Sequence, residues 1–187
     1  MAYLAAAAVL IGLLVVTNLI LTVGVVRRLR EHTAELAALR NGDSGGSDVA
    51  MPAGSSVGGF DATSVAGLPV TLATLGDRPL VGFFSPHCQP CKERLPEFIE
   101  HATSRPGGRD AVLAVAVGAE EETAELVELL RPVATIVVEP DRGPVQQAFA
   151  VTGFPAFVLV EGGVVVASGF DLAPVTHRDT AALPAVG

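Results

Sequence analysis

The chain opens with a long apolar stretch and then changes to short apolar runs separated by polar ones. Residues 2–26 (AYLAAAAVLIGLLVVTNLILTVGVV) contain no charged side chain. As a helix this stretch would be about 38 Å long, which exceeds the ~30 Å hydrocarbon core of a bilayer. A cleaved signal peptide fits less well, because no basic residue precedes the stretch and no small-x-small site follows it. Residues 1–26 are therefore predicted to be a single-pass transmembrane anchor in the cell membrane.

Two polar segments follow the anchor. Residues 27–40 (RRLREHTAELAALR) can place their leucines on one helical face, which predicts a juxtamembrane helix. Residues 41–59 (NGDSGGSDVAMPAGSSVGG) are rich in glycine and serine, a composition typical of a flexible chain spanning roughly 25 Å. This second segment is predicted to be a flexible linker between the anchor and a folded domain.

Residues 60–170 have the pattern of that domain. Continuous apolar runs indicate buried strands, and turn residues between two such runs indicate hairpins. The predicted strands form a hairpin within 60–75, single strands at 79–85, 111–118 and 134–139, and a closing hairpin of 155–160 and 164–169. Helical spacing of apolar residues predicts helices at 89–104, 120–131 and 143–151.

Strands that alternate with helices and end in a hairpin predict an α/β fold, a sandwich with a mixed central β-sheet. The remaining residues, 171–187 (DLAPVTHRDTAALPAVG), are weakly patterned. We expect a weakly structured C-terminal tail there, with at most a short helix around 176–183.

The charge is concentrated in the C-terminal part of the chain. Residues 55–187 carry 16 acidic and 8 basic residues, a net charge of −8, whereas residues 1–54 are neutral overall. An acidic domain lacks the positive surface that nucleic-acid binding requires, so nucleic acid is excluded as a partner. Four arginines follow the anchor and no basic residue precedes it, and the positive-inside rule then favours a cytoplasmic domain.

The only two cysteines of the chain, Cys88 and Cys91, lie between a predicted strand and a predicted helix. At a helix N-terminus, free backbone N–H groups and the helix dipole favour an anion, so Cys88 is the predicted nucleophilic thiolate. Cys91 lies within the first turn and is the predicted resolving thiol. Pro90 suits this turn because its missing N–H would have no helical partner there.

A cysteine pair of this spacing has two other possible uses. A zinc site needs four ligands, and although His87 and His101 could join the cysteines, the chain has no second Cys-x-x-Cys and no matching histidine pair. A structural disulfide is less favoured, because so short a loop constrains the unfolded chain little. The redox couple is preferred, and neither a metal nor a cofactor is predicted.

The segment FFSPHCQPCKERLP resembles the active-site segment of thioredoxin-fold proteins, especially the membrane-anchored TlpA-like thiol–disulfide oxidoreductases. The resemblance covers roughly residues 60–170. It includes Pro96 in the first helix and the segment VTGFPAFVLVEGGVVVASG at 151–169. It implies that Phe154–Pro155 is a cis peptide bond facing the cysteines and that the backbone of Phe154 pairs with a substrate strand.

His87, Gln89 and Pro90, which lie beside and between the cysteines, are predicted to contact the substrate; for His87, stabilisation of the Cys88 thiolate and simple solvation are the two other interpretations. The chain also departs from the family. Gly82 stands where thioredoxins have a buried acid, and Arg94 stands where many TlpA-like proteins have a glutamate. Proton transfer to and from Cys91 must then use another group or water.

The resemblance implies a reductase of protein disulfides on the outer side of the membrane, acting in cytochrome c maturation or in extracytoplasmic redox homeostasis. Its partners would be a disulfide-bearing protein and a membrane-spanning electron donor. The sequence also allows two alternatives. One is a peroxiredoxin-like peroxidase, a class that has Thr or Ser three residues before its reactive cysteine, as Ser85 is here, and Pro seven residues before it, where this chain has Val81. The other is a non-catalytic binding or assembly module.

Overall fold

The structure is a computed structural model that describes residues 49–181. The predicted anchor at 1–26, the juxtamembrane helix at 27–40 and the first part of the linker lie outside the described residues. Within residues 49–181, no helix combines the length and the hydropathy that a membrane crossing requires.

The centre of the domain is a five-stranded mixed sheet, beside a small hairpin. In chain order the strands are β1 (Ala62–Thr63), β2 (Pro69–Val70), β3 (Leu80–Phe84), β4 (Val112–Val117), β5 (Thr135–Glu139), β6 (Ala156–Glu161) and β7 (Val164–Gly169). β1 and β2 form the hairpin, and the large sheet has the order β5-β4-β3-β6-β7. Its β3, β4 and β5 are parallel, whereas β6 is antiparallel to β3 and β7 is antiparallel to β6. The predicted α/β fold with a mixed sheet is confirmed.

Four α-helices cover the two faces of this sheet. They are α1 (Gln89–Ser104), α2 (Glu120–Leu130), α3 (Pro144–Ala148) and α4 (Ala173–Ala181). Side chains alternate along a strand, so β3 contributes Leu80 and Phe84 to the core under α1, α2 and α4, and Val81 and Phe83 to the core under α3. Because both faces are covered, β4 is buried along its whole length.

The prediction of a flexible linker over 41–59 is wrong for its described part. Met51 donates a backbone hydrogen bond to Phe149 at 3.1 Å, and Val57 donates one to Gly163 at 2.9 Å. Apolar side chains of this segment also join the core: Val49, Ala50, Met51 and Val57. The glycine- and serine-rich composition does not reveal this packing, because the segment is held by a few apolar side chains and by backbone hydrogen bonds.

The prediction of a weakly structured tail is also wrong as far as residue 181. Helix α4 begins at Ala173, and Leu172 just before it and Val175 within it are fully buried. Asp179 is the third buried residue that holds the helix in place, and its carboxylate accepts a hydrogen bond from Arg105. A helix held by two apolar residues and one buried charge has little amphipathic pattern, which explains why the sequence indicated at most a short helix, at 176–183 instead of 173–181.

Candidate active site

The two cysteines lie where β3 passes into α1, and they are joined by a disulfide. Cys88 is the N-cap of α1, with extended backbone angles (φ −90°, ψ 108°), and the Cys91 N–H donates to its sulfur at 3.1 Å. Cys91 is fully buried, whereas Cys88 is partly exposed. An external thiol or disulfide can therefore reach Cys88 and not Cys91.

A loop with a cis peptide bond faces Cys88. The Phe154–Pro155 bond is cis, as the resemblance implies. β6 pairs antiparallel with β3, with Ala156 opposite Phe83, so the residues that precede β6 are brought beside the end of β3. The carbonyl oxygen of Phe154 consequently lies 3.4 Å from the Cys88 sulfur.

The first described residue, Val49, borders this loop. Its carbonyl oxygen accepts a hydrogen bond from the Thr152 N–H at 2.9 Å. A Cβ added to Gly153 would lie 3.3 Å from the Val49 side chain. The segment that was predicted to be a linker therefore helps to shape the loop opposite Cys88, and nothing in its composition signalled that role.

The three residues predicted to surround the cysteines lie at the rim of the site. The His87 side chain is 75% exposed, and its Nε2 lies 3.2 Å from Glu122 Oε1 on α2. This contact and the backbone N–H of Ala119 lower the pKa of Glu122. Gln89 is exposed and its side chain bonds to that of Glu93 on the next turn, at 3.2 Å, while Pro90 lies in the first turn of α1.

The interior beneath the disulfide is apolar. A Cβ on Gly82 would lie 2.8 Å from ring atoms of both Phe84 and Phe98, and these two rings pack edge to face with centroids 5.1 Å apart. The aromatic pair fills the space that an acidic side chain at position 82 would need. Cys91 belongs to this apolar cluster, and such surroundings disfavour a buried thiolate.

Arg94 is engaged with the start of the C-terminal helix. It forms an ion pair with Asp171, and its guanidinium lies 5.4 Å from the centre of the Phe170 ring. Among the described residues, the polar contacts of the Cys88 sulfur are with backbone groups: it accepts a hydrogen bond from the Cys91 N–H, and the Phe154 carbonyl oxygen lies 3.4 Å away. Within residues 49–181, no side-chain carboxylate forms a hydrogen bond with either cysteine sulfur.

His101, considered above as a zinc ligand, lies in the last turn of α1, where its Nε2 is 2.9 Å from Asp179. It is therefore separated from the cysteines by the length of the helix. Within residues 49–181, no group of three or more histidine, cysteine or acidic residues is arranged to hold a metal ion.

No family model matches the sequence, and no curated protein matches it. Solved structures do match. The thioredoxin domain of a thiol-disulfide oxidoreductase from Bacteroides vulgatus is 20% identical, with a TM-score of 0.58 over 68% of this chain and 95% of that one. The domain has the thioredoxin fold.

Two further solved structures support this assignment. A secreted Mycobacterium tuberculosis disulfide oxidoreductase homologous to E. coli DsbE is 23% identical, with a TM-score of 0.53 over 65% of this chain and 95% of that one. MTB DsbF, solved in mixed oxidized and reduced forms, is 26% identical, with a TM-score of 0.51 over 65% of this chain and 93% of that one. The printed names of the first two neighbours describe oxidoreductases, the class of protein that the sequence analysis expects.

The thioredoxin fold brings together Cys88, Cys91, Phe154 and Pro155, although Cys88 and Phe154 are 66 positions apart in the chain. Sequence reasoning did not find Glu122 as the partner of His87. Its only signal was a run of acids at the start of α2, which suits the helix dipole and needs no further explanation.

Proposed function

We propose that the chain is a membrane-tethered thiol–disulfide oxidoreductase that reduces protein disulfides through Cys88 and Cys91. One observation carries the proposal. A partly exposed cysteine at a helix N-terminus is disulfide-bonded to a buried cysteine and lies 3.4 Å from the carbonyl of a cis-proline loop. A structural staple needs neither the exposure of Cys88 nor the facing loop.

In the reduced protein, the Cys88 thiolate attacks one sulfur of a substrate disulfide. A bond forms between Cys88 and that sulfur, and the other substrate sulfur leaves as a thiolate, which takes a proton from water. The Cys91 thiolate, once its own proton has passed to water, then attacks Cys88, and the Cys88–Cys91 disulfide forms as the second substrate thiol leaves. The substrate disulfide gains two electrons, and the two cysteines lose them.

The geometry supports separate roles for the residues around the pair. The backbone N–H of Cys91 points at the Cys88 sulfur and stabilises negative charge there. The backbone of Phe154, held by Pro155, lies where an extended substrate strand would pair. His87, Gln89 and Pro90 border the exposed side of Cys88 and would contact the substrate.

We propose an extracytoplasmic location, with an anchor at residues 1–26 and a membrane-spanning electron donor. The name of the M. tuberculosis neighbour describes a secreted protein, which favours the outer side, whereas the arginines after the anchor favour the cytoplasm. The proline at position 90, just before Cys91, is similar to the residue at that position in reducing members of the superfamily and favours a reductase. Cytochrome c maturation and extracytoplasmic redox homeostasis are the settings that suit such a reductase.

The catalytic proposal is tested with the full chain by measuring reduction of a protein disulfide by wild type, Cys88→Ser and Cys91→Ser. We expect Cys91→Ser to accumulate a mixed disulfide with the substrate and Cys88→Ser to be inactive. Unchanged activity in Cys88→Ser would favour the non-catalytic binding module. Labelling of reduced intact cells with a membrane-impermeant maleimide tests the location, and labelling seen only after lysis would contradict the outer side.

A further inference from the structure

A groove of about 740 Å³ lies between α1 and α2, on the same side of the sheet as the cysteine pair. The residues that line it recur at the spacing of one helical face on each helix. They are Lys92, Leu95, Pro96, Ile99 and Glu100 on α1, and Glu122, Glu125, Leu126 and Leu129 on α2, with Pro86 and His87 at one end. Two helical faces thus stand opposite each other with space between them.

The interior of this α1–α2 groove is apolar. Leu95 and Leu126 are each 6% exposed and belong to the core beneath, so they form its floor. Ile99 is half-buried and Leu129 is 47% exposed, so these two leave apolar surface open to water. Apolar surface left open in a concave site is typical of a contact region for another molecule.

The rim of the groove is acidic. Glu100, Glu122 and Glu125 surround it, against the single fixed positive charge of Lys92. Residues 55–187 as a whole carry a net charge of −8. Charge complementarity therefore favours a basic occupant and disfavours an acidic one.

One end of the groove lies next to the redox site. His87 lines it and immediately precedes Cys88, while Phe154 contacts the Cys88 sulfur. Arg94, which lies on a different face of α1, pairs with Asp171 and does not line the groove. A protein whose disulfide or dithiol reaches Cys88 can therefore place a neighbouring segment in the groove.

We propose that the α1–α2 groove docks a segment of the protein that exchanges disulfides with Cys88, and that this segment has a leucine-sized apolar side chain flanked by lysine or arginine. The apolar side chain lies on Leu95 and Leu126, and the basic residues face Glu122 and Glu125. The claim that the docked protein also exchanges disulfides with Cys88 rests on the proposed function. The claim that the groove binds such a segment does not.

Docking is tested by fluorescence anisotropy with the full chain in neutral detergent micelles. Three labelled peptides without cysteine are compared: Lys-Leu-Lys-Leu-Lys, Glu-Leu-Glu-Leu-Glu and Lys-Ser-Lys-Ser-Lys. We expect the first to bind at least about tenfold more tightly than the other two, because only it matches both the floor and the rim.

Two variants and two matched controls locate the site. Leu129→Ser should weaken binding of the Lys-Leu peptide about fivefold, and Glu125→Lys at least about fivefold. The controls are Leu68→Ser, which changes a 63% exposed leucine in the β1–β2 turn, and Glu97→Lys, which changes an exposed acid of α1 outside the groove. Both controls should bind as wild type does.

Equal affinity for the three peptides, or equal loss in groove and control variants, would overturn the proposal. Self-association that Leu129→Ser abolishes, without peptide binding, would identify a second copy of the chain as the occupant and would also overturn it. Reduction of a small aromatic disulfide is measured in parallel, because it needs the cysteines and not the groove. Peptide binding without any such reduction would remove the proposed function and leave the docking site.

Discussion

Helix α1 begins at the cysteine pair and ends at a cluster of buried charges. The polar contacts at its two ends differ in kind: backbone groups at the first, charged side chains at the second. At its N-terminus, the Cys88 sulfur has backbone partners above an apolar core. At its C-terminus, Arg105 and Asp179 have side chains only 4% and 6% exposed, and they are joined by hydrogen bonds of 2.6 and 3.1 Å. At the redox end the polar contacts of the Cys88 sulfur are thus uncharged backbone groups, whereas the far end buries a charged pair.

The far end is a charge cluster of four residues: Arg78, His101, Arg105 and Asp179. Arg105 also donates to the carbonyl oxygens of Ala111 and Arg78, so its guanidinium is well satisfied. Burial alone would raise the pKa of Asp179, but hydrogen bonds from His101 and Arg105 outweigh it and hold that pKa well below its usual range. The cluster ties α4 to α1, so in this protein buried charge contributes to the fold and not to the redox site.

Replacement of Cys88 by alanine tests the redox end and should have the largest effect. We expect protein-disulfide reduction to fall at least about a thousandfold, because the attacking sulfur is gone. The thermal unfolding midpoint of the oxidised protein should change little, because the lost disulfide closes a very short loop. Loss of the fold in circular dichroism would contradict the separation of the two ends.

Replacement of Arg105 by alanine tests the far end and should have the opposite signature. Breaking a buried pair leaves an uncompensated charge and costs about 3–5 kcal/mol of unfolding free energy. Denaturant unfolding measures this loss, and the double variant Arg105→Met/Asp179→Leu should recover most of it. The rate of thiol–disulfide exchange by the molecules that remain folded should equal that of wild type. A lower exchange rate in these folded molecules would show that the far end influences the redox end.

Gly82→Ala probes the close packing beneath the disulfide. The added Cβ would lie 2.8 Å from ring atoms of Phe84 and Phe98, closer than real contacts allow. We expect destabilisation by about 1–3 kcal/mol in denaturant unfolding. Gly59→Ala, at a position with open space and no positive φ, serves as the control, and equal effects of the two changes would contradict a packed aromatic pair.

Acid should weaken the far end. The folded-state pKa of Asp179 lies below its unfolded value, so its contribution to stability is present above about pH 3.9 and is lost as the pH falls toward the folded value. We expect ~2 kcal/mol less unfolding free energy at pH 2.5 than at pH 5 from this residue. Asp179→Asn should reduce that loss, as followed by denaturant unfolding at each pH.

Glu139 provides the control for the acid prediction. Burial raises its pKa, so its contribution to stability has the opposite sign and is lost as the pH rises above the unfolded value. Glu139→Gln should therefore steepen the acid loss. If both substitutions reduced it equally, Asp179 would not be the origin of the acid sensitivity.

The sequence predicted the elements with strong patterns. Helix α1 was expected at 89–104, and the structure has it as Gln89–Ser104, because a proline-containing first turn and helical apolar spacing mark it clearly. The buried strands were also predicted, since short, continuous apolar runs such as that of β4 are typical of strands covered on both faces. The missed features, residues 49–59 and α4, are held by backbone hydrogen bonds and a buried ion pair, which have no local pattern.

The sequence by itself determined the α/β sandwich and the candidate redox pair, because apolar periodicity and cysteine spacing are local properties. Only the tertiary structure decided the surroundings in detail: the 3.4 Å distance from the Phe154 carbonyl to Cys88, the Val49 segment beside that loop, and the groove that ends at His87. It also placed Arg105 against Asp179, 74 residues apart in the chain. Such contacts depend on which strand ends and helix faces the sheet brings together, and no local window of sequence contains that information.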